Sequence, residues 1–323
     1  MGEQPTFADV LAAESRIKGF AVKTPLLHSA IIDAIAGVEV HAKAECLQHV
    51  GAFKYRGARN RLSAMTTDEK KRGVVAFSSG NHAQGVARAA KELDIDAIIV
   101  MPFDAPKVKV AGVEADGAQI VYYDRGTESR EEIAAHIAER DGRILVPSYD
   151  DPYIIAGQGT VGLEIARSSI DFDAVIVCMG GGGLCAGITL ALTQKSLKTK
   201  IFGAEPEHYN DHQRSLAAGV RLRIKDNAPS TLCDAIMTPT PGELTWPINS
   251  KHLAGVFDVT DKECLEAIRL AHEHYDVTLE PGGAAALAAV LFRDLPCDIH
   301  RVAVTLSGGN VDPDVLAQAL ASA

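Results

Sequence analysis

Val175-Ile176-Val177-Cys178-Met179-Gly180-Gly181-Gly182-Gly183-Leu184 reads as a buried strand that runs into four glycines and then a helix. A short β-branched run bounded by glycine suits a strand covered on both faces. Consecutive glycines let backbone N–H groups converge on an anion, and the N-terminus of the next helix adds partial positive charge. The stretch predicts a phosphate cradle at the carboxyl end of a parallel strand, where α/β sheets bind their ligands. A dinucleotide fold is the rival, because Gly181-x-Gly183-x-x-Ala186 loosely fits its fingerprint. That rival is weakened by the mid-chain position of the strand and by Glu205, which stands at the ribose-partner distance but reads better in another role. No P-loop motif occurs.

Outward from this stretch, strand runs alternate with helical patterns. Strands are predicted at 74–77, 97–101, 119–123 and 144–146, with helices at about 82–93, up to 115, and 129–140. A second series places helices at 157–168 and 184–193 and strands at 174–178, 200–204 and 302–306. Thr6, with Asp9 three residues on, opens a first helix. The expected fold class is α/β: two domains with parallel-rich open sheets flanked by helices, and a cofactor in the cleft between them. Residues 73–148 would form a small domain inserted into a large one built from 1–72 and 149–323.

The chain of 323 residues is 47% hydrophobic and carries a net charge of −10. That size supports a large core, and the charge disfavours nucleic acid or an anionic membrane as partner. Cys46, Cys178, Cys185, Cys233, Cys264 and Cys297 form no CxxC pair and are expected as reduced, buried thiols. The polar N-terminus lacks the features of a secretory signal, and no apolar run reaches about 20 residues, so a cytoplasmic protein is expected. A homodimer is expected.

Three further segments carry chemistry. Gly51-Ala52-Phe53-Lys54-Tyr55-Arg56-Gly57-Ala58 holds a lysine between glycines where chain meets helix. Ser78-Ser79-Gly80-Asn81-His82 and Ser307-Gly308-Gly309-Asn310 are small-residue loops that follow strands. A surface lysine beside Arg56 and Arg59 is the plainer reading of Lys54 taken alone. Its spacing with the other loops favours an amine held in a pocket of low polarity, where a depressed pKa permits an imine. Amine, phosphate cradle and hydroxyl together suit pyridoxal 5′-phosphate held as a Schiff base.

From about residue 20 to residue 312, in order, these segments together with Ala156–Thr160 and Glu280-Pro281 resemble the threonine dehydratase and serine racemase family. That family is the tryptophan-synthase-β-like, fold type II class of pyridoxal-phosphate enzymes. The resemblance implies that Lys54 bonds the cofactor, Phe53 packs by its ring, Asn81 binds its 3-oxygen, and Ser307 faces its pyridine nitrogen. It also implies that Gly180, Gly181, Gly182, Gly183 and Leu184 hold the phosphate and that Glu280 belongs to the cofactor site. A neutral serine leaves the ring nitrogen unprotonated, a weaker electron sink that favours loss of a β leaving group.

On the substrate side, the resemblance implies that Ser78, Ser79, Asn81 and His82 grip the carboxylate and that Asp234 lies nearby. Ser79 matches the acid–base group of the racemases. Arg130 matches an arginine at the cleft mouth that could read a second carboxylate. Glu205 and Asp211, with the carbonyl of Tyr209, resemble the family's loop for Mg²⁺ or another hard cation such as Ca²⁺ or Mn²⁺. His208, His212, His272 and His274 lack zinc-protease spacing and are expected in solvent. Three departures, Val50 with Ala52, Pro147-Ser148 and Asp234-Ala235, lie near the expected pocket and bear on which amino acid is used.

The expected activity is dehydration of a β-hydroxy-α-amino acid of serine, threonine or 3-hydroxyaspartate type to a 2-oxo acid and ammonia. A serine or aspartate-type racemase is the alternative, and a non-catalytic cofactor-binding protein is the remote one. With no regulatory extension after the last motif, a catabolic role is expected over a feedback-controlled one.

Overall fold

The protein is described by a computed structural model covering residues 3–194, 198–225 and 227–321. Ten strands form two sheets. They are β1 (Leu26–His28), β2 (Glu39–Lys43), β3 (Val74–Phe77), β4 (Ala97–Pro102), β5 (Gln119–Tyr123), β6 (Ile144–Leu145), β7 (Ala174–Cys178), β8 (Lys200–Pro206), β9 (Leu253–Val259) and β10 (Arg301–Thr305).

The larger sheet has the order β1-β2-β10-β7-β8-β9, and the smaller β5-β4-β3-β6. Only the β1–β2 pair is antiparallel; the remaining pairs of both sheets are parallel. Parallel strands need helical crossovers, and these cover both faces. The alternation along β7 shows the result: Ile176 enters one core with Val302 and Val304, while Val175 and Val177 enter another with Ala303 and Ile201.

The strands of the smaller sheet all fall between residues 74 and 145. Its core is not confined to that span. Ala58, Leu62, Met65 and Ile154 pack with Val74, Ala76 and Ile99. The helix Lys54–Ser63 therefore packs on the smaller sheet's core through Ala58 and Leu62 while also lying against the helix Pro152–Ala166. That places Lys54 on the seam between the two cores.

Local chemistry explains where the helices start. Phe7–Ile17 is entered through Thr6, whose N–H donates to Asp9 Oδ2 at 2.8 Å. The helix predicted from residue 157 begins earlier, at Pro152. Asp151 caps it by accepting from the N–H groups of Tyr153 and Ile154, and Pro152 fills the first turn. Five of the cysteines are buried free thiols, but Cys297 is exposed in the polar loop before β10. Among the described residues no helix is long and apolar enough to cross a membrane.

Candidate active site

Three strand ends converge on one cavity of about 330 Å³. β3 ends at Phe77 and delivers Ser78, Ser79 and Gly80 before the helix Asn81–Glu92. β7 delivers Gly180 to Gly182 before the helix Gly183–Leu192. β10 delivers Ser307. Every residue expected at the cofactor and the substrate lines this cavity. Glu205, Tyr209 and Asp211 do not.

Lys54 is the first residue of its helix, and backbone pairing stitches it to the Ser307 loop. Phe53 N–H donates to Ser307 O at 3.1 Å, Gly309 N–H donates to Gly51 O at 2.9 Å, and Ala52 bridges Gly308. Val50, one of the departures, sits at φ 56, a costly conformation for a β-branched residue. Asn310 offsets this by donating to Val50 O at 2.7 Å. Lys54 Nζ donates to Ser148 O at 2.9 Å, so the Pro147-Ser148 departure supplies a carbonyl to the lysine. Burial, opposed by the charge of Glu280, pulls the Lys54 ammonium down from its ordinary value to about 8.

The glycine loop is shaped by what it packs against. Gly182 sits at φ +87, open to glycine and strained for other residues. A Cβ at Gly181 would lie 2.4 Å from the ring of Tyr149. The Ser307 hydroxyl group is buried with its loop, and Ser307 N–H donates to Gly283 O at 3.2 Å. The half-buried Lys54 amine, the backbone cradle and Ser307 in one cavity fit pyridoxal phosphate in its three polar parts.

Asn81 is held from both sides. Its Nδ2 donates to Glu280 Oε1, and its Oδ1 accepts from Asn310 Nδ2 at 2.8 Å. Burial raises the Glu280 carboxyl, against the pull of the Lys109 charge. His82 Nε2 faces Val146 O at 2.9 Å, and burial together with Lys54 lowers its imidazole to about 3, so it is neutral. Arg130 opens the helix Arg130–Asp141, bonds Glu131 through Nε at 2.8 Å and lies over the Phe77 ring at 5.5 Å. Asp234 begins a short 3-10 turn and is half-exposed.

Sequence reasoning missed several lining residues, among them Lys109, Tyr149 and Arg221. Lys109, on the helix Lys107–Ala115, is 3% exposed and sets Nζ 3.1 Å from Asp234 and 3.5 Å from Glu280. Its neighbours Lys107 and Val108 gave it the look of a surface lysine. Tyr149 stands in a loop with nothing in the sequence to mark it, yet it lines the cavity and packs its ring against Gly181.

The acidic loop lies behind the cavity. Glu205, near the end of β8, accepts from the N–H groups of His212 and Gln213 at 3.1 Å each, capping the helix Asp211–Ala218. Neither Asp211 oxygen accepts a hydrogen bond, although the residue is fully buried. His212 corrects the expectation of a solvated histidine: it too is fully buried, with Nδ1 3.1 Å from Glu205 Oε1. It faces inward because it stands in the first turn of a helix capped by that same glutamate. Burial opposes its charge, but Asp211 and Glu205 raise the imidazole above its ordinary value, to about 9.

Fold and cavity define an α/β protein with a cradle suited to a small phosphorylated group beside a half-buried lysine amine, at the seam of two parallel-rich sheets. The family model described as "Pyridoxal-phosphate dependent enzyme" matches residues 17–308, and the chain belongs to that family. It is 42% identical to an L-threo-3-hydroxyaspartate ammonia-lyase of Pseudomonas, over 98% of each chain. It is 40% identical to a serine racemase of Schizosaccharomyces pombe, over 95% of each. The solved structure of maize serine racemase superposes with a TM-score of 0.93 at 36% identity, covering 98% of this chain and 97% of that one.

Proposed function

We propose that this protein is a pyridoxal-phosphate-dependent ammonia-lyase that removes the hydroxyl and amino groups of a β-hydroxy-α-amino acid, best a 3-hydroxyaspartate. The observation that carries this reading is the half-buried Lys54 amine, its pKa depressed, in one cavity with a glycine cradle, a neutral serine and Arg130. The name of the Pseudomonas relative agrees with it.

Lys54, Phe53, Asn81, Gly180 to Leu184, Glu280 and Ser307 would hold the cofactor, which supplies an electron sink for charge developing at the substrate Cα. Lys54, whose depressed pKa leaves a usable fraction as free amine near neutral pH, takes the Cα proton. The Cα–H and Cβ–O bonds break, a C=C bond forms, and hydroxide leaves as water. The released enamine takes up water and gives the 2-oxo acid and ammonia. Ser78, Ser79, Asn81 and His82 grip the α-carboxylate beside Asp234. Among the described residues only Nε of Arg130 is engaged by a carboxylate, which leaves its terminal nitrogens for the second carboxylate of the substrate. In the racemase reading, Ser79, which lines the same cavity, returns a proton to Cα.

The proposal includes a large domain (1–72 and 149–323), an inserted small one (73–148), and a cytoplasmic homodimer. It also includes a divalent cation, Mg²⁺, Ca²⁺ or Mn²⁺, on Glu205, Asp211 and the Tyr209 carbonyl, for which the buried Asp211 carboxylate, without a hydrogen bond among the described residues, speaks. Chelation is then expected to lower Tm and activity together while leaving the visible cofactor band in place. An unchanged melting curve would remove the cation.

The activity is tested with a panel of serine, threonine, 3-hydroxyaspartate and phenylserine isomers, following oxo-acid formation and chirality together. Oxo acid from a 3-hydroxyaspartate isomer at the highest kcat/KM supports the reading. Inversion of serine or aspartate without oxo acid would replace it with the racemase.

A further inference from the structure

His212 is the histidine that the sequence left in solvent and the structure buries completely. Its Nδ1 stands 3.1 Å from Glu205 Oε1 and 3.5 Å from Asp211 Oδ2. Ligand atoms of all three residues lie within 4.8 Å of one another. Donors held about 2.1 Å from one cation sit roughly 3.0–3.4 Å apart, so these spacings are those of neighbouring ligands.

A plain ion pair explains the group less well. Asp211 keeps both oxygens buried with no hydrogen bond, and 3.5 Å from Nδ1 is too far for one. Buried carboxylate oxygens without partners call for a cation. On its far side, His212 Nε2 would lie 2.7 Å from a Cβ built at Gly182, so the ring is wedged against the glycine cradle and its orientation is set.

We infer that His212 is a side-chain ligand of the divalent cation, through Nδ1, beside Glu205 and Asp211. This rests on the reading that the acidic loop holds a cation at all. An imidazole donor changes which cation is preferred. Mg²⁺ and Ca²⁺ favour oxygen, whereas first-row transition ions from Mn²⁺ to Zn²⁺ gain from nitrogen. A site of two carboxylates and one imidazole therefore takes Mn²⁺, Co²⁺ or Zn²⁺ in preference to Mg²⁺. A ligand on Nδ1 also fixes the remaining ring proton on Nε2, next to Gly182.

The test uses the cofactor-loaded protein after removal of bound metal. Calorimetric titration with Co²⁺ and with Mg²⁺ is run on the wild type and on His212→Asn, whose Tm and cofactor band report whether it is folded. The wild type is expected to bind Co²⁺ at least about tenfold more tightly than Mg²⁺, on the ordering of nitrogen-containing sites. His212→Asn is expected to lose most of that gap through weaker Co²⁺ binding, with Mg²⁺ little changed.

X-ray absorption of the Co²⁺-loaded wild type needs no variant and should carry the multiple scattering of one imidazole. Binding of both ions without imidazole scattering, or the same preference in wild type and variant, overturns the ligand assignment alone. No binding of either ion to the folded wild type overturns the cation reading itself, and His212 is then the fixed counter-charge of Glu205 and Asp211.

Discussion

Lys54 and His82 are both ionisable, and burial lowers both pKa values: His82 is neutral, while half-buried Lys54 keeps a fraction of free amine near neutral pH. Lys54 has Ser148 O as partner and a pKa near 8. His82 has Val146 O and a pKa near 3, against an ordinary 6.5. Between pH 6.5 and 3 the unfolded chain binds a proton at His82 and the folded chain does not. Stability is therefore lost as pH falls through that window, by up to about 1.4 kcal/mol per pH unit. Gln at this position can still donate to Val146 O but cannot titrate. His82→Gln should flatten the acid limb of a plot of unfolding free energy against pH; an unaltered limb would mean that His82 is protonated in the folded state. At this scale, legibility followed motif. Lys54, Asn81 and Ser307 were found because they stand in short loops with few competing readings. Lys109, Tyr149 and His212 were not, because a charged or aromatic residue on a helix or loop looks alike from either face until packing chooses one.

At the scale of elements, the glycine cradle is the feature that reads most directly. Its strand and helix are where the pattern predicts, and the same holds for β3, β4 and β5 within a residue. Three strands went unread. β1 has three residues, β2 is interrupted by His41 and Lys43, and β9 carries Gly255 and Asp258, so none has a clean apolar run. Their pairing comes from neighbours in the sheet and not from their own composition. The cradle itself makes a sharp prediction. Gly181→Ala drives a methyl group into the Tyr149 ring, and an aromatic ring between two elements cannot swing away cheaply. The variant should fold yet lose most of its bound cofactor, read as the ratio of visible to 280 nm absorbance. Pairing it with Tyr149→Ala should restore part of that ratio. Full cofactor in the single variant would mean that Gly181 is not part of the cradle.

Across the whole molecule, the two sheets are joined by buried charge as well as by apolar contact. Arg56 bonds Glu45 at 2.7 Å and Glu164 at 2.7 Å, and Lys43 bonds Glu164 at 2.5 Å, tying the Lys54 helix to the larger sheet. Lys109 does the same from the other side, reaching from a helix of the smaller sheet to Asp234 and Glu280. Lys109→Met takes from buried Glu280 the cation that lies 3.5 Å away, a loss on the order of 3 kcal/mol. Half-exposed Asp234 contributes little of it. Urea unfolding of the cofactor-free protein should register that loss, and no change in midpoint would mean that Lys109 joins nothing.

Lys109 also supplies the sharpest control for Lys54, because among the described residues these two lysines line the cavity. Borohydride reduction of the purified, cofactor-loaded protein, followed by peptide mapping, asks which amine the cofactor bonds. One pyridoxyl group per chain is expected, on Lys54. A label on Lys109, or a chain that releases its cofactor unlabelled, would contradict that assignment.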